Sequence, residues 1–333
     1  MKLGILIGFN PDDERNYINA CIECGVEYEK INFVDDNWLE EIKNSNCDGF
    51  LARPPCVIQE RKNLYDERLY FLNKIMKRAI YPSFDELFIY ENKRNMYSWL
   101  ELFNYPHAKT NVFFKKEQAL EFIESASFPM ITKSNIGASS AGVSVLKSKK
   151  EAKGFINSVF GFFNNNIVLG KSPKKIKMGI SIPLIGQSQR QFALFQEWIE
   201  MKWEWRIIKI GNSLFGYKKL LGDNGLASGN NLDGWAKPPT DLLDLASSIC
   251  EDGEFLSMAI DIFEGENGKY YVNELQSIFG SYNPSQMYID EKPYRYVKTK
   301  EGYQLEEGYF CQNGCANLRV SHFVDLLSDC DKY

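Results

Sequence analysis

Histidine is scarce in this chain of 333 residues, which contains only His107 and His322. A nucleophilic triad or a metal centre built on imidazoles is therefore improbable. Positive charge is not in excess either, because 39 Lys and Arg face 44 Asp and Glu for a formal net charge of −5. That balance argues against a sequence-independent nucleic-acid partner and against a polybasic membrane anchor. Any chemistry is expected to rely on Lys, Arg, Asp and Glu.

Long hydrophobic runs are also missing. No stretch approaches the ~18–20 uninterrupted apolar residues that a membrane span needs. The opening segment, MKLGILIGFNPDDER, runs into acidic residues rather than into a small-residue cleavage site. The sequence therefore predicts a cytoplasmic protein without a membrane partner.

Cysteine is too sparse for a disulfide scaffold, with eight in the chain. We expect free thiols in a reducing compartment. A zinc site is the less favoured alternative, and its ligands would be Cys311, Cys315, His322 and Cys330.

One segment departs from the acidic balance. Residues 152–196 contain no Asp or Glu, and their basic side chains are Lys153, Lys171, Lys174, Lys175, Lys177 and Arg190. A locally positive surface follows. Two interpretations stay open: a solvated basic loop, or a surface that docks a phosphorylated or otherwise anionic substrate.

The first 55 residues alternate between short apolar runs and helical stretches, in the order LGILIGF, DERNYINACIEC, EYEKINFV, WLEEIKN and CDGFLARPP. That order is typical of a βαβαβ unit with a parallel sheet. Ligands of such sheets bind at the carboxyl ends of the strands, which would place residues 8–10 and 53–55 at one rim. No GxGxxG motif follows the first strand, so a dinucleotide site is not supported.

A different pattern begins at Thr110. The strand FPMITKS leads into a loop rich in Gly and Ser at residues 135–142, and the strand GVSVLK follows. This predicts a β-hairpin around a flexible loop, whereas a P-loop runs into a helix. The tripeptide Gly170-Lys171-Ser172 resembles the end of a Walker A motif, but Asn165 stands where that motif needs a glycine.

Two carboxylates flank a second predicted hairpin, whose turn is Asn267-Gly268. Antiparallel pairing can bring Asp261 and Glu274 to the same face of that hairpin. Two apposed carboxylates repel each other unless a divalent cation or a proton neutralises them. From these residues alone, a Mg²⁺ site and a solvated acidic hairpin are equally acceptable.

The context of that hairpin resembles the ATP-grasp superfamily. The resemblance spans residues 92–280, and residues 1–90 look like the domain that precedes it in that family. It rests on Lys93 at the start of a helix that ends before Pro106 and Thr110, and on Lys133 after the Phe128-Pro129 strand and before the glycine-rich loop. Each fragment is weak by itself, and their order and spacing make the match specific.

The resemblance implies a nucleotide site. Lys93 and Lys133 would contact the phosphates. A mobile lid over them would include Gly137, Ser139, Ser140 and Gly142. The adenine hinge would be formed by Gln196, Glu197, Trp198 and Ile199, with Glu204 or Glu197 on the ribose.

The resemblance also implies metal and catalytic residues. The metal pair would be Asp261 and Glu274, followed by Gln276 where the family has asparagine. Glutamine supplies the same amide oxygen on a longer stem, which leaves the geometry of a second ion open. Arg206 resembles the arginine that meets the acyl phosphate. Lys218, with Lys219 and the loop at residues 227–230, would face the carboxylate substrate.

The implied fold is α/β (α+β): a parallel-sheet N-terminal domain (1–90), two lobes that clasp ATP (91–195 and 196–285) and a C-terminal extension (286–333). The implied activity is an ATP-dependent ligase that joins a carboxylate to an amine through an acyl phosphate. ATP would be the co-substrate, with one or two Mg²⁺ or Mn²⁺ ions.

The basic segment suggests an anionic or nucleotide-linked sugar acid of polysaccharide biosynthesis as substrate. Two alternatives are a kinase acting on a small-molecule hydroxyl and a non-catalytic ATP-binding regulator, and a homodimer is expected from the frequency of such assemblies.

Overall fold

The computed structural model describes residues 1–9, 12, 14–56, 58–137, 142–161, 176–177, 180–181, 190–221, 233–279 and 283–329. At residues 176–177, 180–181 and 233 it describes only the backbone. Three larger sheets and the two-stranded sheet of Ile176–Lys177 and Ile180–Ser181 organise these residues. In the described part of the chain, no helix is both long and apolar enough to cross a membrane.

The N-terminal sheet is parallel, as the alternating pattern predicted. Its strands lie in the order β2-β1-β3-β4. The elements are β1 (Lys2–Ile7), α1 (Arg15–Glu23), β2 (Glu27–Asn32), α2 (Trp38–Asn44), β3 (Gly49–Leu51), α3 (Gln59–Leu69) with its π-helical continuation Tyr70–Ile75, β4 (Ile80–Tyr81), α4 (Phe84–Ile89) and α5 (Lys93–Leu102). Apolar residues on both faces, such as Leu3, Ile5 and Leu6, are buried because helices cover both sides.

The second sheet is small and antiparallel, in the order β5-β10-β6-β7. Its region comprises β5 (Thr110–Phe113), α6 (Lys116–Ser125), β6 (Met130–Lys133), β7 (Val143–Leu146), α7 (Lys149–Val159), β8 (Ile176–Lys177), β9 (Ile180–Ser181) and β10 (Ala193–Glu197). Helices α6 and α7 close one core with it, in which Ile123, Ile156 and Phe195 are buried. The hairpin of β6 and β7 encloses the glycine-rich loop, as the sequence predicted.

The third sheet is the largest. Its path is β15-β14-β11-β12-β17-β16, with β13 beside β12 and β18 beside β17. It contains β11 (Met201–Ile210), β12 (Ser213–Lys219), β13 (Asp233–Gly234), α8 (Thr240–Asp252), β14 (Ser257–Gly265), β15 (Tyr270–Gln276), β16 (Tyr288–Ile289), β17 (Lys292–Thr299) and β18 (Gly302–Glu307). Helix α5 packs into its core through Met96, Tyr97 and Leu100. The short connection 198–200 joins β10 of the small sheet to β11 of the large one.

The C-terminal helix α9 (Gln312–Ser328) returns to the N-terminal sheet. Ala316, Val320 and Phe323 pack against Leu3 and Leu51 in one buried cluster. Gly49 of β3 makes this possible, because a Cβ there would lie 2.5 Å from the Phe323 ring. The C-terminal extension thus widens the large sheet through β17 and β18 and covers the N-terminal sheet through α9.

Candidate functional site

The hairpin of β14 and β15 places Asp261 directly opposite Glu274. Its turn includes Gly268 in a left-handed conformation (φ +73°), as expected for the Asn-Gly signal. The register shifts immediately after Asp261, so that Ile262 pairs with Val272 and Asn273 is an extra residue in β15. Such a bulge re-aims side chains. Here Asn273 and Glu274 both reach lysine side chains.

Asp261 is almost fully buried and is bound by two cations. Arg206 of β11 donates through Nε to Oδ1 and through Nη2 to Oδ2, both at 2.8 Å. Lys219 of β12 donates to Oδ2 at 2.5 Å. Burial alone would raise the pKa of Asp261, but the two cations outweigh burial and hold that pKa well below its usual range. Asp261 is therefore ionised at neutral pH.

Glu204 lies beside this triplet, with 1% of its surface exposed. It accepts a hydrogen bond from Lys219 at 3.1 Å and a longer one from the amide of Asn273 at 3.4 Å. Burial raises the pKa of Glu204 to about 7, with Asp261 adding to the rise and Lys219 opposing it. Glu204 thus belongs to the charged cluster on the large sheet, and it can exchange a proton near neutral pH.

Lys133 links the small sheet to the large one. It ends β6, and its Nζ lies 2.9 Å from both the Tyr97 hydroxyl and the Asn273 side-chain oxygen. Only 7% of Lys133 is exposed. A solvated surface lysine is therefore ruled out for this position.

Lys93 begins α5, whose N-terminus is capped by Asn92. Its Nζ donates to the Gly137 carbonyl at 3.3 Å and lies 3.5 Å from Glu274. Burial alone would lower its pKa, but the neighbouring carboxylates Glu274 and Glu91 raise it above the ordinary value. Lys93 thus connects the β14–β15 hairpin to the glycine-rich loop.

Glu91 was not singled out in the sequence. It is buried in a left-handed conformation (φ +52°), and it accepts a 2.9 Å hydrogen bond from the Gly137 amide. Burial raises the pKa of Glu91 to about 7; Lys93 opposes that rise and Glu274 adds to it. This carboxyl group fixes the first glycine of the glycine-rich loop, Gly137, beside Lys93.

The predicted lid is described only at its two ends. Gly137 has φ +146° and Gly142 has φ +85°, a conformation that favours glycine. The Gly142 carbonyl accepts a hydrogen bond from the Ser134 amide at 2.8 Å. Ser139 and Ser140 lie outside the described residues.

The predicted hinge lies where β10 leaves the small sheet. Gln196 is buried and donates to the Thr110 hydroxyl at 2.9 Å. Glu197 is exposed, and one of its side-chain oxygens accepts from the Lys109 amide at 2.8 Å. Trp198 and Ile199 are half-buried in the connection to β11. The segment predicted as the hinge therefore lies between the two sheets.

Lys218 is not part of the charged cluster. Cross-strand pairing places it opposite Trp205, on the face of β12 away from Asp261, and its Nζ lies 3.6 Å from the centre of the Trp203 ring. Lys219 occupies the place beside Glu204 and Asp261. A sequence signal for this existed, because counting outward from the two-residue turn 211–212 puts Lys219 opposite Glu204. The loop at residues 227–230 lies outside the described residues.

The cluster as a whole is balanced in formal charge. Four carboxylates face four cations: Glu91, Glu204, Asp261 and Glu274 against Lys93, Lys133, Arg206 and Lys219. Paired buried charges of this kind perturb pKa values and mark functional sites in clefts. The cations come from helix α5 and from both antiparallel sheets, so a triphosphate bound here would contact all three.

The donor set suits a hard divalent cation that shares phosphate oxygens. Mg²⁺ is usually bound by one or two carboxylates plus substrate phosphates. Glu274 keeps 20% of its side chain exposed, and the Gln276 oxygen lies 3.2 Å from Arg206 beside Asp261. Among the described residues, no group of three or more His, Cys, Asp or Glu side chains is placed to hold a metal alone. The residues present therefore fit a shared Mg²⁺ and not a protein-only cage.

The alternative zinc site is not formed by the residues that the structure describes. His322 has its Nδ1 3.1 Å from the Tyr81 hydroxyl, and burial lowers its pKa to about 4. Cys311 and Cys315 are buried and hydrogen-bonded to each other. Cys330 lies outside the described residues, and the other three ligands do not form a metal site.

Comparison with known proteins identifies the fold. No protein-family model matches the sequence, and no curated protein sequence matches it. Solved structures do match. The D-cycloserine synthetase DcsG has a TM-score of 0.61 at 13% identity, over 98% of this chain and 100% of that chain. D-alanine–D-alanine ligase from Bacillus anthracis has a TM-score of 0.59 at 12% identity, over 99% of both chains.

A third similar structure is an ADP complex of the N5-carboxyaminoimidazole ribonucleotide synthetase PurK. Its TM-score is 0.59 at 17% identity, and the match covers 86% of this chain and 72% of that chain. These three enzymes share one fold. At such low identity the likeness establishes the fold of this chain, from its N-terminal parallel sheet to its two antiparallel sheets.

Proposed function

We propose, because this chain has the ATP-grasp fold, that it is an ATP-dependent ligase that joins a carboxylate to an amine through an acyl phosphate. One observation supports this most strongly. Lys93, Arg206 and Lys219 contact the facing carboxylates of the β14–β15 hairpin. Lys133 contacts Asn273 of the same hairpin, so cations from three parts of the fold converge there. The solved structures similar to this chain include a ligase and two synthetases, one of them an ADP complex.

The nucleotide would lie between the two antiparallel sheets. Backbone groups of residues 197–199 would bind the adenine edge, and the exposed carboxylate of Glu197 would bind the ribose. Lys93 at the start of α5 and Lys133 at the end of β6 would neutralise the phosphates. The glycine-rich loop would close over them and exclude water, which would otherwise destroy the acyl phosphate.

Mg²⁺ or Mn²⁺ would be held by Glu274, Asp261 and Gln276 together with phosphate oxygens. Such an ion neutralises charge on the transferring phosphoryl group and aligns it. In the described state, both Asp261 oxygens are bound by Arg206 and Lys219. Glu274 is therefore the carboxylate that is more accessible to an ion.

The chemistry would proceed in two displacements. A substrate carboxylate oxygen attacks the γ-phosphorus, the bond to the bridging oxygen breaks, and ADP leaves with that electron pair. The amine nitrogen then forms a C–N bond to the acyl carbon, phosphate leaves with its electrons, and the amine proton passes to solvent or a carboxylate. Arg206 and Lys219 would stabilise the negative charge that develops on the tetrahedral centre. Glu204, with its pKa near 7, is suited to accept the proton.

The identity of the carboxylate is a finer proposal. The basic segment favours an anionic acid, such as a nucleotide-linked sugar acid, in the cytoplasm where ATP is available. Of the lysines behind it, Lys174 and Lys175 lie outside the described residues, and Lys177 is described only as strand backbone. Replacing these three with Ala would weaken binding of such acids if the proposal is right. Binding that does not change would remove it.

The test of the ligase is ADP and phosphate release from Mg-ATP with a panel of carboxylates, each with and without an amine mixture. Release that needs both substrates, and that is lost in Glu274→Gln but kept in Lys218→Met, supports the proposal. ADP release with an alcohol alone indicates a kinase. ATP binding in calorimetry without turnover on any panel member indicates a regulator.

A further inference from the structure

A pocket lined by aromatic residues lies on the large sheet. It has a volume of about 650 Å³ and is lined by Trp235, Ala236, Lys237, Tyr288, Ile289, Asp290 and Glu291. That volume lies within the ~300–1,000 Å³ of small-molecule sites. Trp235 is 40% exposed although its ring packs edge-on against Tyr288, with centroids 4.7 Å apart. An exposed, oriented tryptophan of this kind offers a stacking surface to a ligand.

The pocket is connected to the proposed reaction centre through Tyr217. The Tyr217 ring lies 5.5 Å from the Trp235 ring. In the sheet, Tyr217 is the direct cross-strand neighbour of Arg206, whose other neighbour is Asp261. Cross-strand neighbours share one face of a sheet. A chain of aromatic contacts therefore leads from Tyr217, the neighbour of Arg206, through Trp235 to Tyr288.

The charges that line the pocket favour a cation. Asp290 and Glu291 form the tight turn between β16 and β17, both in left-handed conformations (φ +49° and +63°). Both are exposed, and neither forms an ion pair with another residue in the described part of the chain. Lys237 is the one basic side chain of the lining. Aromatic faces and a surplus of carboxylate together attract an organic ammonium ion.

We infer that this pocket binds the amine co-substrate and that this amine has an apolar or aromatic body. The inference rests on the proposed function, because it takes Arg206 as the reaction centre. The body stacks on Trp235 and Tyr288, while Asp290 and Glu291 draw the protonated amine in from solvent. Tyr217 then marks the path along which the nitrogen reaches the acyl carbon.

The experiment measures binding directly and does not depend on turnover. The probes are 2-phenylethylamine, its neutral counterpart 2-phenylethanol and the small aliphatic methylamine, titrated into the full chain by calorimetry at low salt. The wild type should bind 2-phenylethylamine several-fold more tightly than either control. Trp235→Ala should weaken that binding about tenfold and Trp235→Phe should restore most of it. Asp290→Asn/Glu291→Gln should abolish the preference for the amine over the alcohol.

Two further measurements separate this inference from the proposed function. ATP affinity should be unchanged in Trp235→Ala, and Phe114→Ala, an exposed aromatic outside the pocket, should bind the amine like the wild type. Amine binding that depends on Trp235 without any ligation would support the pocket and overturn the ligase. Ligation with wild-type KM for the amine in Trp235→Ala would support the ligase and overturn the pocket. Amine binding that is equal in all variants would also overturn the pocket.

Discussion

Arg206 and Asp261 form a two-pronged ion pair, with both guanidinium-to-carboxylate distances at 2.8 Å and only 1% of Asp261 exposed. Two parallel charge-assisted bonds fix the orientation of both planar groups. The same guanidinium also donates to the Gln276 oxygen at 3.2 Å. This pair therefore sets the positions of two of the three predicted metal ligands before any substrate binds.

Removing the negative charge from this pair should destabilise the protein. Asp261→Asn leaves Arg206 and Lys219 buried without their main partner, which typically costs about 3–5 kcal/mol in the free energy of unfolding. Urea unfolding at neutral pH measures this. The pKa of Asp261 in the folded protein lies below its usual 3.8. The Asp261 carboxylate therefore contributes to the free energy of unfolding in full above pH 3.8, and this contribution is lost as the pH falls through the lower, folded-state pKa. The variant should therefore lose part of the wild-type acid dependence, and equal unfolding free energies at neutral pH would contradict the pairing.

Adjacent lysines provide a matched pair. Lys219→Met removes the cation between Glu204 and Asp261, and we expect ADP release to fall about 100-fold. Lys218→Met changes a side chain on the opposite face that contacts Trp203, and activity should stay within a few-fold of wild type. Steady-state kinetics, with circular dichroism as a check of folding, measures both. Equal losses in the two variants would mean that the face assignment is wrong.

Glu91 should make stability depend on pH near neutrality. Its pKa is raised from 4.5 to about 7, so the folded state holds a proton that the unfolded state releases. The stabilising contribution is complete below the unfolded pKa and is lost as the pH rises through about 7, by roughly 3 kcal/mol. Thermal unfolding between these pH values should show a fall that is smaller in Glu91→Gln than in the wild type, because Glu204, whose pKa is also raised to about 7, still contributes its own part. Glu121→Gln, an exposed control, should behave like the wild type; a fall of wild-type size in Glu91→Gln would contradict this role.

The C-terminal helix should be essential to the N-terminal sheet. Phe323 is fully buried against Tyr81, with ring centroids 5.4 Å apart. Phe323→Ala leaves a cavity and should lower the free energy of unfolding by about 3–5 kcal/mol. Leu102→Ala, at a position 74% exposed, should change it by about 0.5 kcal/mol or less. A small effect of Phe323→Ala in urea unfolding would show that α9 does not stabilise this sheet.

Local patterns predicted much of this fold. The alternation of apolar runs and helices predicted the parallel N-terminal sheet, and Asn267-Gly268 predicted the hairpin that sets Asp261 opposite Glu274. These features depend on short-range signals: side-chain periodicity and turn chemistry. The return of α9 to the N-terminal sheet was not predictable in this way, because it depends on contacts between residues some 300 positions apart, such as Cys24 and Asn317.

The site was predictable where a motif carried it. Lys93 and Lys133 stand next to recognisable turns and loops, and the structure places both in the cluster. Asn273 was missed because a bulge, which has no clear signal here, turns it toward Lys133. Glu91 was missed because its importance comes from burial and from the Gly137 amide, neither of which is visible in sequence. Lys218 was preferred to Lys219 because strand register was not counted from the turn.

The central claim is an acyl phosphate made by γ-phosphoryl transfer to a carboxylate. Its most direct test uses the carboxylate and amine identified by the ADP-release panel, with ¹⁸O in both carboxylate oxygens. The account predicts that each turnover transfers one ¹⁸O atom to inorganic phosphate, detected by mass spectrometry, and that Lys218→Met does the same. Unlabelled phosphate, or label found in AMP, would contradict it.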